Sequence, residues 1–172
     1  MRKGLVGKIL DYYFNSEIFR PEFERALKEF FDLEDIASLS NVSKTEAKTS
    51  HFNEWFLYDF KLRTGKSPLE NFCEINPENW GNEDIKAAKD LSINEYGLYE
   101  VLEIHLGTGI KILNLQSKNI YDVQERQATF QLKPGFIFFG RVGKVDDYWE
   151  LIGSDSLMLP ISFTIRAKKF IF

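Results

Sequence analysis

At 172 residues the chain can form one sizeable core or two small ones, since domains usually contain about 100 to 150 residues. Hydrophobic residues make up 44% of the chain and charged residues 28%, which excludes wholesale disorder. The net charge of −4 argues against a general nucleic-acid binder, because affinity for a duplex comes mainly from neutralising phosphates with Lys and Arg.

The cysteine content and the lack of a long apolar run indicate the cellular location of the protein. A single cysteine excludes an intrachain disulfide framework and any cysteine-based zinc site of ordinary spacing. Such usage is typical of a reducing compartment, so we expect a cytoplasmic protein. No apolar run approaches the ~20 residues needed to span a bilayer, and we expect no membrane contact. The N-terminal run is broken by Lys8 and Asp11, which favours a helix of the fold over a signal peptide.

The first third of the chain predicts two amphipathic helices and a polar connection. Apolar residues from Leu5 to Phe14 recur at helical spacing. A second helix is predicted from Pro21, which suits a first helical position, and Glu22 favours the same helix start electrostatically. Residues 37–50 are rich in Ser, Thr, Asn and Lys, which predicts either a surface connection or an ordered binding loop.

The stretch from His51 to Phe72 contains the end of one helix and the start of another. Its aromatic residues fall within one arc of a helical wheel and predict a buried helix face, formed by Phe52, Trp55, Phe56 and Phe60. Gly65 is predicted to end this helix, because a residue without a Cβ adopts the left-handed conformation at little cost. Ser67 and Glu70 have the spacing of a capping box, with proline at the first helical position. Two helices are therefore predicted to meet at a tight corner.

Two charges interrupt the aromatic face of this helix. The wheel places Asp59 near the middle of the apolar arc and Arg63 one turn further on. A buried charge must be paired or functional. One interpretation is an ion pair at the seam between the helices and the β-rich half. The other is a ligand-binding polar centre with Trp55 and Tyr58 as aromatic walls. In either case Asp59→Ala would cost about 3 kcal/mol if the pair is buried.

The sequence WFLYDFKLRTGKSPLENF resembles a family signature that reads E-W-F-L-F-D-Y/F and then G-x-T/S-P-L-E. This signature occurs in a group of prokaryotic proteins, some of which carry a zinc-binding SEC-C tail. The resemblance covers roughly residues 52–152 and implies a prokaryotic protein with this architecture. It implies no particular activity. The SEC-C tail is not expected here, because it needs several cysteines and the chain has only Cys73.

From Gly97 onwards the spacing of apolar residues changes from helical to alternating. Glycine-containing turns separate five short stretches with the spacing of strands, at residues 98–106, 110–113, 120–123, 136–145 and 148–152. This pattern predicts an α+β protein, with an N-terminal helical half followed by a small antiparallel β-barrel of the SH3-like or OB-like type. The predicted organisation is a helical region at 1–97, a barrel at 98–157 and an apolar C-terminal segment at 158–172. That segment would pack on the core or form an interface.

No combination of residues in the sequence predicts catalysis. The two histidines, His51 and His105, are each expected at exposed or otherwise satisfied positions, and Cys73 is expected to be a small core residue. A Cys73 and His105 dyad is conceivable, but nothing in the sequence favours it. Adjacent acidic pairs lack a third ligand at coordinating spacing. We therefore predict no catalytic residue, no metal site and no cofactor.

One basic and aromatic cluster lies near the C-terminus. With basic residues of the barrel it could form a groove for single-stranded nucleic acid, through Arg166, Lys168, Lys169, Arg141, Lys144 and Lys133. The alternative is a set of lysines that snorkel beside a buried terminal strand.

The sequence as a whole favours a non-catalytic binding or regulatory module that contacts a protein partner, or another copy of itself, through exposed aromatic residues. A nucleic-acid-binding module that uses the barrel and the basic C-terminal cluster is the alternative. The third possibility is an enzyme whose carboxylates come together only in the fold.

Overall fold

The computed structural model describes residues 4–41, 46–153 and 157–158, and the chain divides into two compact units, Met1–Ser92 and Ile93–Phe172. The described part of the first unit is helical. Its helices are α1 (Leu5–Phe14), α2 (Arg20–Phe31), α3 (Glu46–Tyr58), α4 (Pro68–Ile75) and α5 (Asn82–Ser92), with a 3-10 helix at Ile36–Asn41.

Aromatic rings fill the core of this helical unit. Phe56 of α3 is fully buried. Its ring centroid lies 5.9 Å from those of Tyr13 and Phe23 and 5.6 Å from that of Phe60. Aromatic pairs at such distances contribute about 0.5 to 1.5 kcal/mol beyond their buried area. The aromatic face predicted for α3 is therefore the centre of the unit.

The predicted capping box at the start of α4 is confirmed. The Ser67 hydroxyl accepts a hydrogen bond from the Glu70 N–H at 3.2 Å, and the Ser67 N–H donates to Glu70 Oε2 at 2.7 Å. The backbone hydrogen bond from Ser67 is the main cause that lowers the pKa of the Glu70 carboxyl. These bonds satisfy two of the amide groups that a helix start otherwise leaves unpaired.

Helix α3 ends earlier than the sequence predicts. Its last residue is Tyr58, and the N–H groups of Asp59 and Phe60 both donate to the carbonyl of Trp55, at 2.9 Å each. Gly65 has the predicted positive φ, of 80°, but it lies in a separate turn beyond the helix. The helical wheel therefore no longer applies after Tyr58.

The described part of the second unit consists of six strands and one 3-10 helix. The strands are β1 (Asn94–His105), β2 (Gly109–Asn114), β3 (Ile120–Gln124), β4 (Ile137–Val145), β5 (Tyr148–Leu151) and β6 (Leu157–Met158), and the 3-10 helix is Ala128–Phe130. Five of these strands form a ring in the order β1-β2-β3-β5-β4, which the β1–β4 pairing closes. All pairs in the ring are antiparallel except β3 with β5, which is parallel.

This strand order identifies the type of barrel. The neighbouring strands β4-β1-β2-β3 form a Greek key, in which the fourth strand returns to lie beside the first. A five-stranded Greek-key ring of this kind is OB-like, because the OB fold is a partly open five-stranded Greek-key barrel. The predicted α+β architecture with a C-terminal barrel is confirmed, and of the two predicted types the strand order is that of the OB fold.

The long strand β1 closes the ring because it pairs with two neighbouring strands, β4 and β2. Residues Asn94–Glu100 pair with β4, whereas Tyr99–His105 pair with β2. The strand begins at Asn94 and not at Leu98, where the sequence periodicity changes. Gly97 lies buried inside it, and a Cβ at this position would come within 2.5 Å of the Asn114 Nδ2 atom.

The barrel encloses a compact apolar core. Its fully buried members project inward from strands of the ring, and they include Tyr99, Val101, Ile110, Ile112, Phe138 and Val142. Strand β6 pairs with Phe138 and Phe139 of β4. The rest of the predicted apolar C-terminal segment, at 159–172, lies outside the described residues, and so do Arg166, Lys168 and Lys169.

Candidate functional site

The outer face of β1, β2 and β3 carries a row of charged side chains. Glu103, Lys111 and Asp122 are register partners on adjacent strands. The Lys111 ammonium lies 3.5 Å from Glu103 Oε1 and 3.9 Å from Asp122 Oδ1. His105 Nε2 lies 4.0 Å from the other carboxylate oxygen of Glu103. With two carboxylates and one ammonium, the row has a net negative charge.

The same face presents no aromatic ring from β2 or β3. The aromatic residue of these two strands is Tyr121, which is buried, and its hydroxyl donates to the Glu95 carboxylate. Its ring centroid lies 4.7 Å from that of Trp149. Burial, and then the neighbouring Glu95, raise the pKa of Tyr121 to about 12. This ring therefore belongs to the core and is not free to stack on a base.

At one end of the barrel, hydrogen bonds join the β1–β2 turn to the connection after β3. The Gly107 N–H donates to the Thr129 hydroxyl at 3.0 Å, and this hydroxyl donates to the Arg126 carbonyl at 2.6 Å. The Glu125 N–H donates to the Thr108 carbonyl at 3.3 Å. The two loops are thus tied together by their backbones and by one buried hydroxyl.

These joined loops carry two exposed apolar side chains and border a groove. Leu106 is 69% exposed and Phe130 is 64% exposed. The groove has a volume of about 350 Å³ and is lined by Thr108, Gln124, Glu125, Arg126, Glu150 and Leu151. We call Leu106, Phe130 and this groove the end surface.

The basic residues that the sequence assigns to a nucleic-acid groove have different environments. Arg141 is only 3% exposed. Its Nη1 donates to Asn94 Oδ1 at 2.6 Å, and its guanidinium lies 5.3 Å from the centroid of the Tyr96 ring. Lys144 is partly buried on the same strand, and Lys133 is exposed in a turn. Arg141 therefore lies within the fold and does not line an open groove.

The predicted buried pair of Asp59 and Arg63 is wrong. Asp59 is exposed, because α3 ends at Tyr58 and the chain then leaves the helical path. The side chain of Arg63 is 76% exposed, and its ion-pair partner is Glu22, at 3.7 Å. No buried polar centre forms from these two charges.

The aromatic walls predicted beside Asp59 belong to the core. The Trp55 ring lies 5.3 Å from the rings of both Phe30 and Phe60. Tyr58 is buried, at 9% exposure. Since Asp59 is exposed, the structure does not bring the three predicted residues together around a ligand site.

Among the described residues of the helical unit, the buried charged residue is Glu22, which the sequence interpretation treats only as a helix-start residue. Glu22 Oε2 accepts hydrogen bonds from Arg25 Nε at 3.1 Å and Nη2 at 2.7 Å. Arg25 also donates to the Lys61 carbonyl, and its guanidinium lies 4.2 Å from the centroid of the Phe60 ring. Helical spacing could have indicated that Glu22 is buried, because this residue lies one turn before Ala26 on the buried face of α2.

The thiol and the histidine considered for a dyad belong to different units and have different environments. Burial raises the pKa of Cys73 to about 11, so the thiol is protonated at neutral pH. The His105 side chain is 58% exposed on the outer face of the barrel. Within the described ranges, no group of three or more His, Cys, Asp or Glu side chains is placed to hold a metal ion. No helix in the described part of the chain is long and apolar enough to cross a membrane.

Comparisons with known proteins give no match. No family model matches the chain, and neither the curated proteins nor the solved structures include a significant match. The resemblance to a family signature, based on Trp55–Phe72 and covering roughly residues 52–152, therefore stays a prediction. A fold alone does not define a function, so the function has to be inferred from the surface of the barrel.

Proposed function

We propose that the protein is a non-catalytic binding module whose barrel unit contacts a protein partner. The observation that carries this proposal is the row of Glu103, Lys111 and Asp122 on the outer face, in which carboxylates outnumber the ammonium. In OB barrels the face around strands 2 and 3 binds oligonucleotides and oligosaccharides, and by analogy we take the corresponding face here as the binding surface. A face with net negative charge attracts a partner segment that contains lysine or arginine.

A nucleic-acid-binding module is the weaker alternative. Binding of a single strand needs a positively charged groove and aromatic rings on which the bases stack. In the described part of the barrel, the aromatic ring of β2 and β3 is buried in the core, and so is Arg141. The outer face would repel phosphates instead of neutralising them.

The proposal is tested by titrating the full chain into two fluorescein-labelled probes and following fluorescence anisotropy. One probe is a peptide in which phenylalanine alternates with lysine, and the other is a single-stranded oligothymidylate. We expect the peptide to bind, with an affinity that falls as salt rises, and the oligonucleotide to bind much more weakly.

The matched variants test the outer face itself. The double variant Glu103→Gln and Asp122→Asn removes both carboxylates of the row and should weaken peptide binding about five-fold. The control is Glu17→Gln combined with Glu34→Gln, which removes two exposed carboxylates from the helical unit and should leave binding unchanged. Tight, steeply salt-dependent binding of the oligonucleotide would overturn the proposal in favour of the alternative.

A further inference from the structure

We propose that the partner is anchored at the end surface, through a segment in which a large apolar side chain lies next to a lysine or arginine. This inference rests on the proposed function, because it assigns the place and the chemistry of the partner that the barrel binds. The charged row of the outer face then attracts the partner, and the end surface holds it.

The apolar part of the end surface is formed by two exposed side chains on the joined loops. Leu106 directly precedes Gly107, and Phe130 directly follows Thr129, and a hydrogen bond of 3.0 Å joins Gly107 N to Thr129 Oγ1. The two side chains are 69% and 64% exposed. Single exposed apolar residues are common, but two on loops that are bonded to each other, one of them an aromatic ring, are typical of an interface anchor.

The loops that carry these side chains are held in place before any partner binds. Thr129 is only 3% exposed, and its hydroxyl both accepts and donates a hydrogen bond. The Glu125 carboxylate accepts from the Ala128 N–H at 3.1 Å, at the start of the 3-10 helix. Because the loops are already ordered, binding does not have to order them, which favours affinity.

The adjoining groove complements one long cationic side chain. Its lining includes two carboxylates, Glu125 and Glu150, against one guanidinium, Arg126. Its volume of about 350 Å³ is at the lower end for small-molecule sites and is ample for a single side chain. Lysine and arginine combine an apolar stem with a charged head, so the stem can pack near Leu151 while the head meets the carboxylates.

The anchor is tested with the full chain and the peptide of alternating phenylalanine and lysine. We expect Phe130→Ser and Leu106→Ser each to raise the Kd about ten-fold, as truncation of an interface anchor does. The matched control is Ile18→Ser, which removes an apolar side chain that is 84% exposed in the helical unit and should leave the Kd unchanged. Since all three side chains are exposed, the variants should melt close to the wild type.

The groove is tested by charge changes of opposite sign. Glu150→Gln should raise the Kd about three-fold, whereas Arg126→Gln should lower it about three-fold, because it removes the cation that repels the bound lysine. A peptide in which glutamate replaces lysine should not bind.

The outcomes separate this inference from the proposed function. If Phe130→Ser and Leu106→Ser bind the peptide as the wild type does, while the outer-face double variant binds more weakly, the anchor is refuted and the proposed function stands. If the wild type does not bind the peptide and binds the oligonucleotide, the anchor and the proposed function are both refuted.

Discussion

The carboxylate of Glu22 accepts a hydrogen bond from the backbone N–H of Arg63 at 3.2 Å, and this bond ties the first turn of α2 to the chain that follows α3. The side chain of Glu22 is only 12% exposed, and it is also bonded to Arg25. Glu22 therefore stabilises the corner of the helical unit, whereas the sequence interpretation placed the buried charge at Asp59.

Replacing Glu22 should destabilise the protein far more than replacing a neighbouring glutamate. Glu22→Ala leaves the Arg63 N–H without its acceptor and removes one acceptor of the Arg25 guanidinium, so we expect a loss of about 2 kcal/mol. The control Glu24→Ala removes an exposed carboxylate and should cost less than about 0.5 kcal/mol. Asp59→Ala should also cost less than Glu22→Ala. Urea unfolding of the three variants measures these differences, and equal costs for Glu22→Ala and Glu24→Ala would contradict the assigned role.

The same substitution should have opposite effects at two glycines. Gly97→Ala places a Cβ within 2.5 Å of Asn114 Nδ2, and the side chain of Asn114 is held by N–H groups of Gln116 and Ser117 at 2.8 and 3.1 Å. We expect a loss of about 2 to 3 kcal/mol from the resulting overpacking. Gly7→Ala lies in α1 with nothing within 4 Å of the new Cβ and should stabilise the chain by up to about 1 kcal/mol. Thermal melts of both variants check the signs.

Stability should fall at alkaline pH in part because of Cys73. Its pKa is about 11 in the folded chain, against an ordinary value of 9.0. Between these two values the unfolded thiol loses its proton while the folded thiol keeps it, so the free energy of unfolding falls as the pH rises through this window. Cys73→Ala removes this contribution, and its loss of stability from pH 8.5 to 11 should be about 1 to 2 kcal/mol smaller than that of the wild type. Parallel pH curves for the two proteins would show that the thiol does not contribute.

The ammonium of Lys111 should stabilise the outer face of the barrel. Lys111→Ala leaves Glu103 and Asp122 facing each other across β2, and we expect it to cost about 1 kcal/mol at low salt. The cost should shrink in high salt, because screening weakens both the attraction and the repulsion. Lys133→Ala, in an exposed turn, is the control and should be neutral at both salt concentrations. A salt-independent cost at Lys111 would point to packing of its stem instead of charge.

Local sequence patterns correctly predicted features that depend only on residues close together in the chain. The capping box at Ser67 and Glu70 spans three residues, so its spacing alone identifies it. The OB-type ring could not be chosen over an SH3-like one in this way, because its closure depends on pairs such as Asn94 with Gly143. A strand pattern shows that a segment is extended, but it does not show which distant strand becomes its partner.

The predicted bounds of α3 and of the first strand both extend too far along the chain. Each prediction continued a regular period past the residue at which the element ends. α3 stops at Tyr58, and β1 stops at His105 although the sequence predicts a strand at 98–106. Asp59 and Leu106 consequently lie exposed beyond the ends of these elements. The end surface could not be predicted, since it depends on a bond between a turn glycine and a threonine in a separate loop.

The closure of the barrel through β1 has a consequence for the order of folding during synthesis. Asn94 of β1 pairs with Gly143, and Val123 of β3 pairs with Trp149, so the ring cannot close until β5 has left the ribosome. The helical unit, which ends at Ser92, has by then emerged completely. Domains generally fold as units from the N-terminus, and pairings between distant residues form slowly. We therefore expect the helical unit to fold on the ribosome while β1 is not yet paired with β4 and β3 is not yet paired with β5.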